Sequence, residues 1–307
     1  MPAVLNTNVA SLWASKNLLG AQSKMADSVE RLSSGLRINR ASDDAAGLGI
    51  TNALTQQING ANQGVRNLND GISMVQTAEG AIAAAQEMAQ RILTLATQGA
   101  NGTMGAAEKT AIRQEMRQLM STIQAIGGRT KFSSNSLLSG AGTAVTLQVS
   151  NNTTDTITLA ATAFTTIGVT VADVATILAN AAQTAAGGGT YTGGRAADTL
   201  MASINSDTDA NIANVVFTTI MTNAASYITS LSTQRSLLGA YQNQIEFTVS
   251  NTTELASNLS AARSNVQDTD YASETAALTK GQILQQAATA MLAQANQMPN
   301  VILSLLK

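Results

Sequence analysis

The sequence predicts a mainly α fold: an elongated antiparallel bundle of long, coiled-coil-like helices carrying one small β-hairpin. Three observations predict it. Apolar residues recur at alternating steps of four and three along both the first and the last third of the chain. The two prolines, Pro2 and Pro299, stand near the ends, so no residue of that kind breaks a helix between them. The hydrophobic fraction is 44%, yet aromatics are only 3% and much of the remainder is alanine. Small apolar side chains suit helices that lie close along their length better than they fill a thick core.

The first segment carries Leu5, Val9, Leu12, Leu19 and Ala26 on heptad steps, with Lys16 and Ser23 on the polar ones. Met25, Val29 and Leu32 widen that face, and Ser33 to Arg40 breaks the pattern. Ser42-Asp43-Asp44 reads as a helix start: the hydroxyl caps free backbone N–H groups, and the carboxylates sit at the positive end of the macrodipole. The cleanest stripe follows, through Leu54, Ile58, Ala61, Val65, Leu68, Ile72, Val75 and Ile82, with Glu79 on its one polar step. A helix reaching about Gln98 would be roughly 80 Å long at about 1.5 Å per residue.

Gly99 to Gly102 makes a turn, and Ile112, Met116, Leu119, Ile123 and Ile126 predict a shorter helix ended by Gly127-Gly128. The period then becomes two. Val145, Leu147 and Val149 alternate, as do Ile157 and Leu159, and the polar Ser150-Asn151-Asn152 stretch predicts a hairpin between them. Residues 170–209 are rich in Ala, Thr and Gly, which predicts a short helix over Val171–Ala186 in a variable, exposed middle. Heptads return from Phe217 through Tyr227, Leu238 and Ile245 to Val266. Asp268-Thr269-Asp270 offers a cap for a last helix with Ile283, Leu284, Ala287, Ala288, Met291, Leu292 and Ala295 on its apolar face.

The same residues exclude several functions. Seventeen basic against nineteen acidic residues leave a net charge of −2, no footprint for nucleic acid. With no Cys and no His there is no disulfide, no zinc–thiolate site and no ordinary general base near neutral pH. No catalytic residue, metal or cofactor is therefore expected. Asp43 with Asp44, and Asp268 with Asp270, are cap residues rather than acid or metal pairs. Gly47-Leu48-Gly49 lacks the third glycine and preceding strand of a phosphate loop. Asn151-Asn152-Thr153-Thr154 holds glycosylation-like sequons, which a polar hairpin turn explains more simply. No apolar run of about 18 residues predicts a membrane span, and no basic-then-apolar start predicts a secretory signal, since the first basic residue is Lys16. A membrane-surface helix would need basic residues and boundary aromatics that are scarce here.

Long stripes need partners. Leu54–Ile82 can be covered by Ile112–Ile126 and Phe217–Val266, so the chain must double back with both ends on one side. Residues 1–40 and 268–307 are amphipathic with no domain left to cover them. Ordering costs about 1–2 kcal/mol per residue, against about 25 cal/mol per Å² of apolar burial. These ends are expected to be disordered in a free monomer and to fold on assembly.

Several motifs identify a family. Asn6-Thr7-Asn8, Arg31-Leu32-Ser33-Ser34-Gly35-Leu36-Arg37-Ile38-Asn39 and Ala41-Ser42-Asp43-Asp44-Ala45-Ala46-Gly47 stand at one end. Ala262-Arg263-Ser264, Asp268-Thr269-Asp270-Tyr271-Ala272, Gln282-Ile283-Leu284-Gln285-Gln286-Ala287 and Leu292-Ala293-Gln294-Ala295-Asn296-Gln297 stand at the other. In this order, over roughly residues 1–140 and 230–307, the chain closely resembles bacterial flagellin in a minimal form without large outer domains. The resemblance implies a secreted structural protein that self-assembles into the flagellar filament used for motility. The hook–filament junction protein, which has similar termini, is the alternative that the near-complete motifs disfavour.

The resemblance further implies paired terminal helices in an inner domain, residues 1–42 and 267–307. It places the helical bundle domain at 43–176 and 211–266, with a short exposed segment at 177–210 between. Polymerisation is expected from Leu5, Val9, Leu12, Leu19 and Leu32 at one end. At the other it is expected from Ile283, Leu284, Ala287, Met291, Leu292, Leu305 and Leu306. The implied partners are other copies, an export chaperone on the C-terminal helices, the flagellar type III export apparatus, and the filament cap and hook-junction proteins. No nucleic acid or membrane is implied, and the implied location is the extracellular filament, reached without a cleaved signal peptide. In some flagellins an animal innate immune receptor senses the helical domain; Arg91, Leu95 and Glu115 hold the matching positions, while Leu93 and Thr94 replace charged residues often found there. A metalloprotease insert, carried by some flagellins, would need His-Glu-x-x-His, and this chain has no His.

Overall fold

A computed structural model describes residues 8–139, 144–165, 167, 196–205 and 214–305. Inside the helices, the side chains of 196–198, 202, 205, 214–216 and 298–305 are outside that set. The helix expected over Val171–Ala186, and the residues Leu5 and Leu306, lie outside the described residues; of Leu305 only the backbone is described. The fold is mainly α, with two very long helices and two small antiparallel strand pairs.

Helix α1 spans Val9–Ser34. The Asn8 side chain accepts from the Ser11 N–H at 3.1 Å, and Gly35 ends the helix in the left-handed region at φ 73°, a conformation that costs glycine little. Helix α2 spans Ala45–Gly99, 55 residues. Its cap is Asp44 rather than Ser42: the Asp44 carboxylate accepts from the Gly47 N–H at 2.9 Å. Helix α3, Ala106–Arg129, runs through Gly127-Gly128 instead of stopping there. Gly127 is buried, so packing outweighs a glycine penalty of about 1 kcal/mol. The Thr130 N–H and hydroxyl then both reach the Ile126 carbonyl and close the end.

Strands β1 (Lys131–Phe132) and β2 (Asn135–Ser136) form a tight pair that the sequence did not signal, turning through Ser133 at φ 55°. Strands β3 (Val145–Gln148) and β4 (Thr156–Leu159) form the expected hairpin, with Val145 opposite Leu159 and Leu147 opposite Ile157. A short 3-10 turn follows at Ala161–Phe164. Helix α4, Ala196–Asn205, lies inside the segment expected to be exposed. Leu200 and Ile204 are instead fully buried, and the Ile204 carbonyl accepts from the buried Arg113 guanidinium at 3.0 Å. Helices α5, Asn214–Gln267, and α6, Tyr271–Leu305, complete the chain.

The chain divides into two compact units: Met1–Asn59 with Ala256–Lys307, and Gly60–Leu255. The second has a continuous core drawn from α2, α3, α4, α5 and the hairpin. Leu68, Val75, Ile82, Ala89, Ile92 and Ala96 of α2 join Ile220, Ala224, Leu231, Leu238 and Ile245 of α5 in that cluster. Arg235 ties the two helices at their edge, 3.0 Å from Gln86 and 3.4 Å from Glu79. Tyr227 is buried and donates to the Ile167 carbonyl; burial raises its hydroxyl's pKa, so the ring stays neutral.

The hairpin lies directly on α2 because that helix offers glycines. A methyl at Gly64 would stand 1.5 Å from the Val149 carbonyl oxygen, and one at Gly71 would stand 2.3 Å from Leu147. Between them the Asn67 amide donates to the Gln148 carbonyl at 3.0 Å. Gly64→Ala is expected to destabilise this unit by about 1–3 kcal/mol, measured as a lower urea midpoint. Gly80→Ala, where a methyl meets nothing within 4 Å, should hold the midpoint or raise it. Equal midpoints for Gly64→Ala and wild type would mean that the hairpin is not seated on the helix.

Candidate functional site

The first unit is built on α1 and α6, which run antiparallel: the Asn8 amide donates to the Ala295 carbonyl at 2.7 Å, Gly281 abuts Met25, and Arg31 lies 3.9 Å from Glu274. The seam between them is a heptad of small residues. Ala14, Ala21 and Ser28 are the buried residues of α1, and Gly281 and Ala295 are buried on α6. Leu18, Met25 and Leu32, with Leu278, Ala288 and Leu292, are half-buried along the seam's edges.

The large apolar side chains stay outside. Val9, Leu12, Trp13, Leu19, Ile283, Leu284 and Met291 are each 45–65% exposed. Of the residues expected to drive polymerisation, Val9, Leu12, Leu19, Ile283, Leu284, Ala287 and Met291 are thus on open faces, whereas Leu32 and Leu292 belong to the seam. Trp13 was missed from sequence, because it falls off the Leu5–Leu19 heptad. The small-residue seam was missed too, although its seven-residue repeat is visible in Ala14, Ala21 and Ser28. Beside the seam runs an open groove of about 900 Å³, walled by Trp13, Leu284 and Met291, floored by Gly20, Ala21 and Ala288, with Lys16 and Lys24 at its rim. The Lys16 ammonium stands 5.8 Å from the Trp13 ring centroid, a cation–π contact.

A joint closes the other end of the pair. Leu36 bridges Asp268; the Arg37 N–H donates to the Gln267 carbonyl at 2.7 Å, and the Thr269 N–H to the Gly35 carbonyl at 3.0 Å. Ile38 is buried against Gly47, where a methyl would come within 2.6 Å of its side chain. Arg40 forks onto Glu30 at 2.7 and 3.0 Å. The Asp43 carboxylate accepts from the backbone N–H groups of Arg40 and Asn39, which hold its pKa below the ordinary 3.8.

Arg91 and Glu115 pair at 2.8 Å on the surface of the second unit. Leu95 does not share that surface: it is 2% exposed, inside the helical core. Among the described residues no group of three metal-ligating side chains forms, and no helix is long and apolar enough to cross a membrane.

Open apolar helical faces belong to a protein that meets other surfaces. The comparisons with known proteins name the kind. Residues 5–143 match the bacterial flagellin N-terminal helical region and residues 221–306 the C-terminal helical region. The chain is 36% identical to the flagellin of Bacillus subtilis over 305 residues, covering 99% of each. It is 34% identical to flagellin B of Vibrio cholerae over 371 residues, covering 98% of this chain and 99% of that one. A solved Vibrio parahaemolyticus structure, named for a putative flagellar hook-associated protein, shares the fold at a TM-score of 0.54 and 12% identity, covering 74% of this chain and 100% of the other. The chain belongs to the bacterial flagellin family. It is a structural subunit of the flagellar filament, outside the cell, and not an enzyme.

The joint makes a pH prediction. A carboxyl whose folded pKa is depressed stabilises the fold above its unfolded pKa, and that contribution fades as pH falls through the folded value. The stability gap between wild type and Asp43→Asn should therefore be constant above about pH 4 and narrow below it. A gap independent of pH, followed by acid titration of unfolding, would show that Asp43 does not tie the joint.

Proposed function

We propose that the α1–α6 pair is the element through which the chain polymerises. The single observation that carries this reading is the inverted size distribution of its side chains. Small residues fill the internal seam, while Val9, Leu12, Leu19, Leu284 and Met291 stand open. Exposed apolar surface of this kind marks an interaction site, and other copies cover it in a filament. In this reading residues 1–42 and 267–307 form the inner domain, and residues 43–176 with 211–266 form the helical bundle domain.

The fully buried line of alanine, serine and glycine carries little apolar area and the leucines and methionine beside it are only half-buried, so the pair gains little by forming alone. The ends then order only as neighbours add burial. Ile283, Leu284 and Met291 on exposed faces of α6 give an export chaperone an amphipathic helix to hold before secretion. Passage as an unfolded chain through the type III apparatus, without a cleaved signal peptide, fits a protein whose ends fold late. The filament cap and hook-junction proteins meet the same terminal faces. Arg91 and Glu115 give an animal immune receptor its point of contact on the bundle, with Leu95 beneath them as packing.

Seeded polymerisation tests the element. Removal of Gln282–Lys307 should leave a soluble monomer with a folded bundle, while full-length chains extend seeds into tubes seen by negative-stain microscopy; truncated chains that still extend seeds would refute it. Amide exchange tests the ordering step. In the monomer α1 and α6 should exchange far faster than α2 and α5, and become protected in filaments. Strong protection of both ends in the monomer would overturn folding on assembly.

A further inference from the structure

We propose that the turn between α2 and α3 is a self-modification site, where the Asn101 side-chain amide condenses with the Gly102 backbone nitrogen and hydrolyses, without an enzyme, to aspartate and isoaspartate.

The chain holds two Asn-Gly pairs, Asn59-Gly60 and Asn101-Gly102. Glycine has no Cβ to shield its nitrogen, so each pair is competent for this chemistry and the fold decides which one reacts. Asn101, Gly102 and Thr103 are exposed and belong to no helix. The Asn101 Oδ1 accepts from the Thr103 N–H at 3.2 Å. This turn folds the side chain back over the peptide that follows it. It also aims an N–H at the oxygen on which negative charge develops when Cγ is attacked, the arrangement by which fixed donors promote acyl transfer. The neighbouring N–H groups are occupied: that of Asn101 donates to the Gln98 carbonyl at 3.2 Å, and that of Met104 to the Asn101 carbonyl at 3.4 Å. The Gly102 N–H between them has no acceptor among the described residues, so its proton is open to water and hydroxide.

Asn59-Gly60 is the internal control. It lies inside α2, where each N–H is held by the carbonyl four residues back. The Cα–Cβ bond of a helical residue tilts toward the helix N-terminus, which carries the Asn59 side chain away from the Gly60 nitrogen. The hairpin covers this pair as well: a methyl at Gly60 would stand 2.8 Å from the Asn151 backbone nitrogen.

The step needs only water. The Gly102 nitrogen loses its proton and attacks Cγ of Asn101; the N–Cγ bond forms, the Cγ–Nδ2 bond breaks, and Nδ2 leaves as ammonia with the proton. The cyclic imide then adds one water. Opening at one carbonyl gives aspartate, and opening at the other gives isoaspartate. Either product adds one negative charge to a chain whose net charge is −2, and isoaspartate routes the backbone through an extra methylene between α2 and α3. No oxidant or cofactor is consumed, so the mark accumulates with time wherever the turn stays wet.

Purified full-length chain is incubated for days in mildly alkaline buffer, beside a sample unfolded in guanidinium chloride, and both are mapped by peptide mass. In the folded chain the Asn101 peptide should show the amide-to-acid mass shift and split into two species, one of them labelled by a carboxyl methyltransferase specific for isoaspartate. The Asn59 peptide should stay intact. In the unfolded chain both should react at similar rates. Conversion at Asn101 should rise several-fold per pH unit above neutrality, following the deprotonated fraction of the attacking nitrogen. Gly35 is the only glycine with positive φ among the described residues, so alanine fits the backbone at 102. Gly102→Ala should slow conversion roughly tenfold, because a Cβ now crowds the attacking nitrogen, and should leave the urea midpoint unchanged. Folded chain in which Asn101 reacts no faster than Asn59 would overturn the site. Conversion to aspartate with no isoaspartate, or at the wild-type rate in Gly102→Ala, would overturn the route through the imide.

Discussion

Side-chain size along one helical seam governs the behaviour of the rest. Ala14, Ala21 and Ser28 against Gly281 and Ala295 let α1 and α6 approach closely, and close approach keeps Leu18, Met25, Leu32, Leu278 and Leu292 to the seam's half-buried edges. Bulk is displaced to the outer faces, where Leu12, Trp13, Leu19 and Met291 are more than half exposed. The bundle does the reverse. Leu68, Val75, Ile82 and Ile92 of α2 are fully buried together with Phe217, Ile220 and Leu238 of α5. One unit has met its own demand for burial and the other has not, although α2 and α5 pass uninterrupted through both.

The same economy of small residues recurs where another segment closely approaches the α2 backbone. Gly47 admits Ile38 at the joint, Gly64 admits Val149 under the hairpin, and Gly99 admits the Phe217 ring, which a methyl would approach to 2.2 Å. Each glycine costs a helix interior up to about 1 kcal/mol relative to alanine. The cost is offset by a contact that no larger residue permits, which is why such glycines persist along one 55-residue helix.

Large residues made the architecture readable, and small ones hid the details. The helical periods, the existence of the hairpin and the class of protein followed from leucine, isoleucine and valine spacing and from motifs at the two ends. The exact seams did not. On α2 the stripe through Val65, Ile72 and Glu79 is displaced by one residue: the buried positions are Gly64, Gly71 and Ala78, which carry little or no hydrophobic signal. On α1 the heptad of Leu12 and Leu19 is real, yet it marks the outer face, because periodicity reports that a face is apolar and not what covers it. Helix α3 overran its glycine pair, and α4 sank into the core through Leu200 and Ile204 from within a segment of low sequence complexity. In both cases tertiary packing overrode local preference.

That distinction between an apolar face and its cover explains why the described residues hold no site in the enzymatic sense. A catalytic centre needs polar groups converging in a cleft, and the open groove here converges alkyl and indole surface with two lysines at its rim. Its free energy is realised only when another surface excludes water from it. If the pair were stapled internally by large residues, the ends would be ordered in every monomer, and little apolar area would remain for a neighbour to bury. With small residues inside, ordering and joining draw on the same buried surface. On the proposed reading, a subunit of this design would gain its terminal structure as it gains its place in the filament.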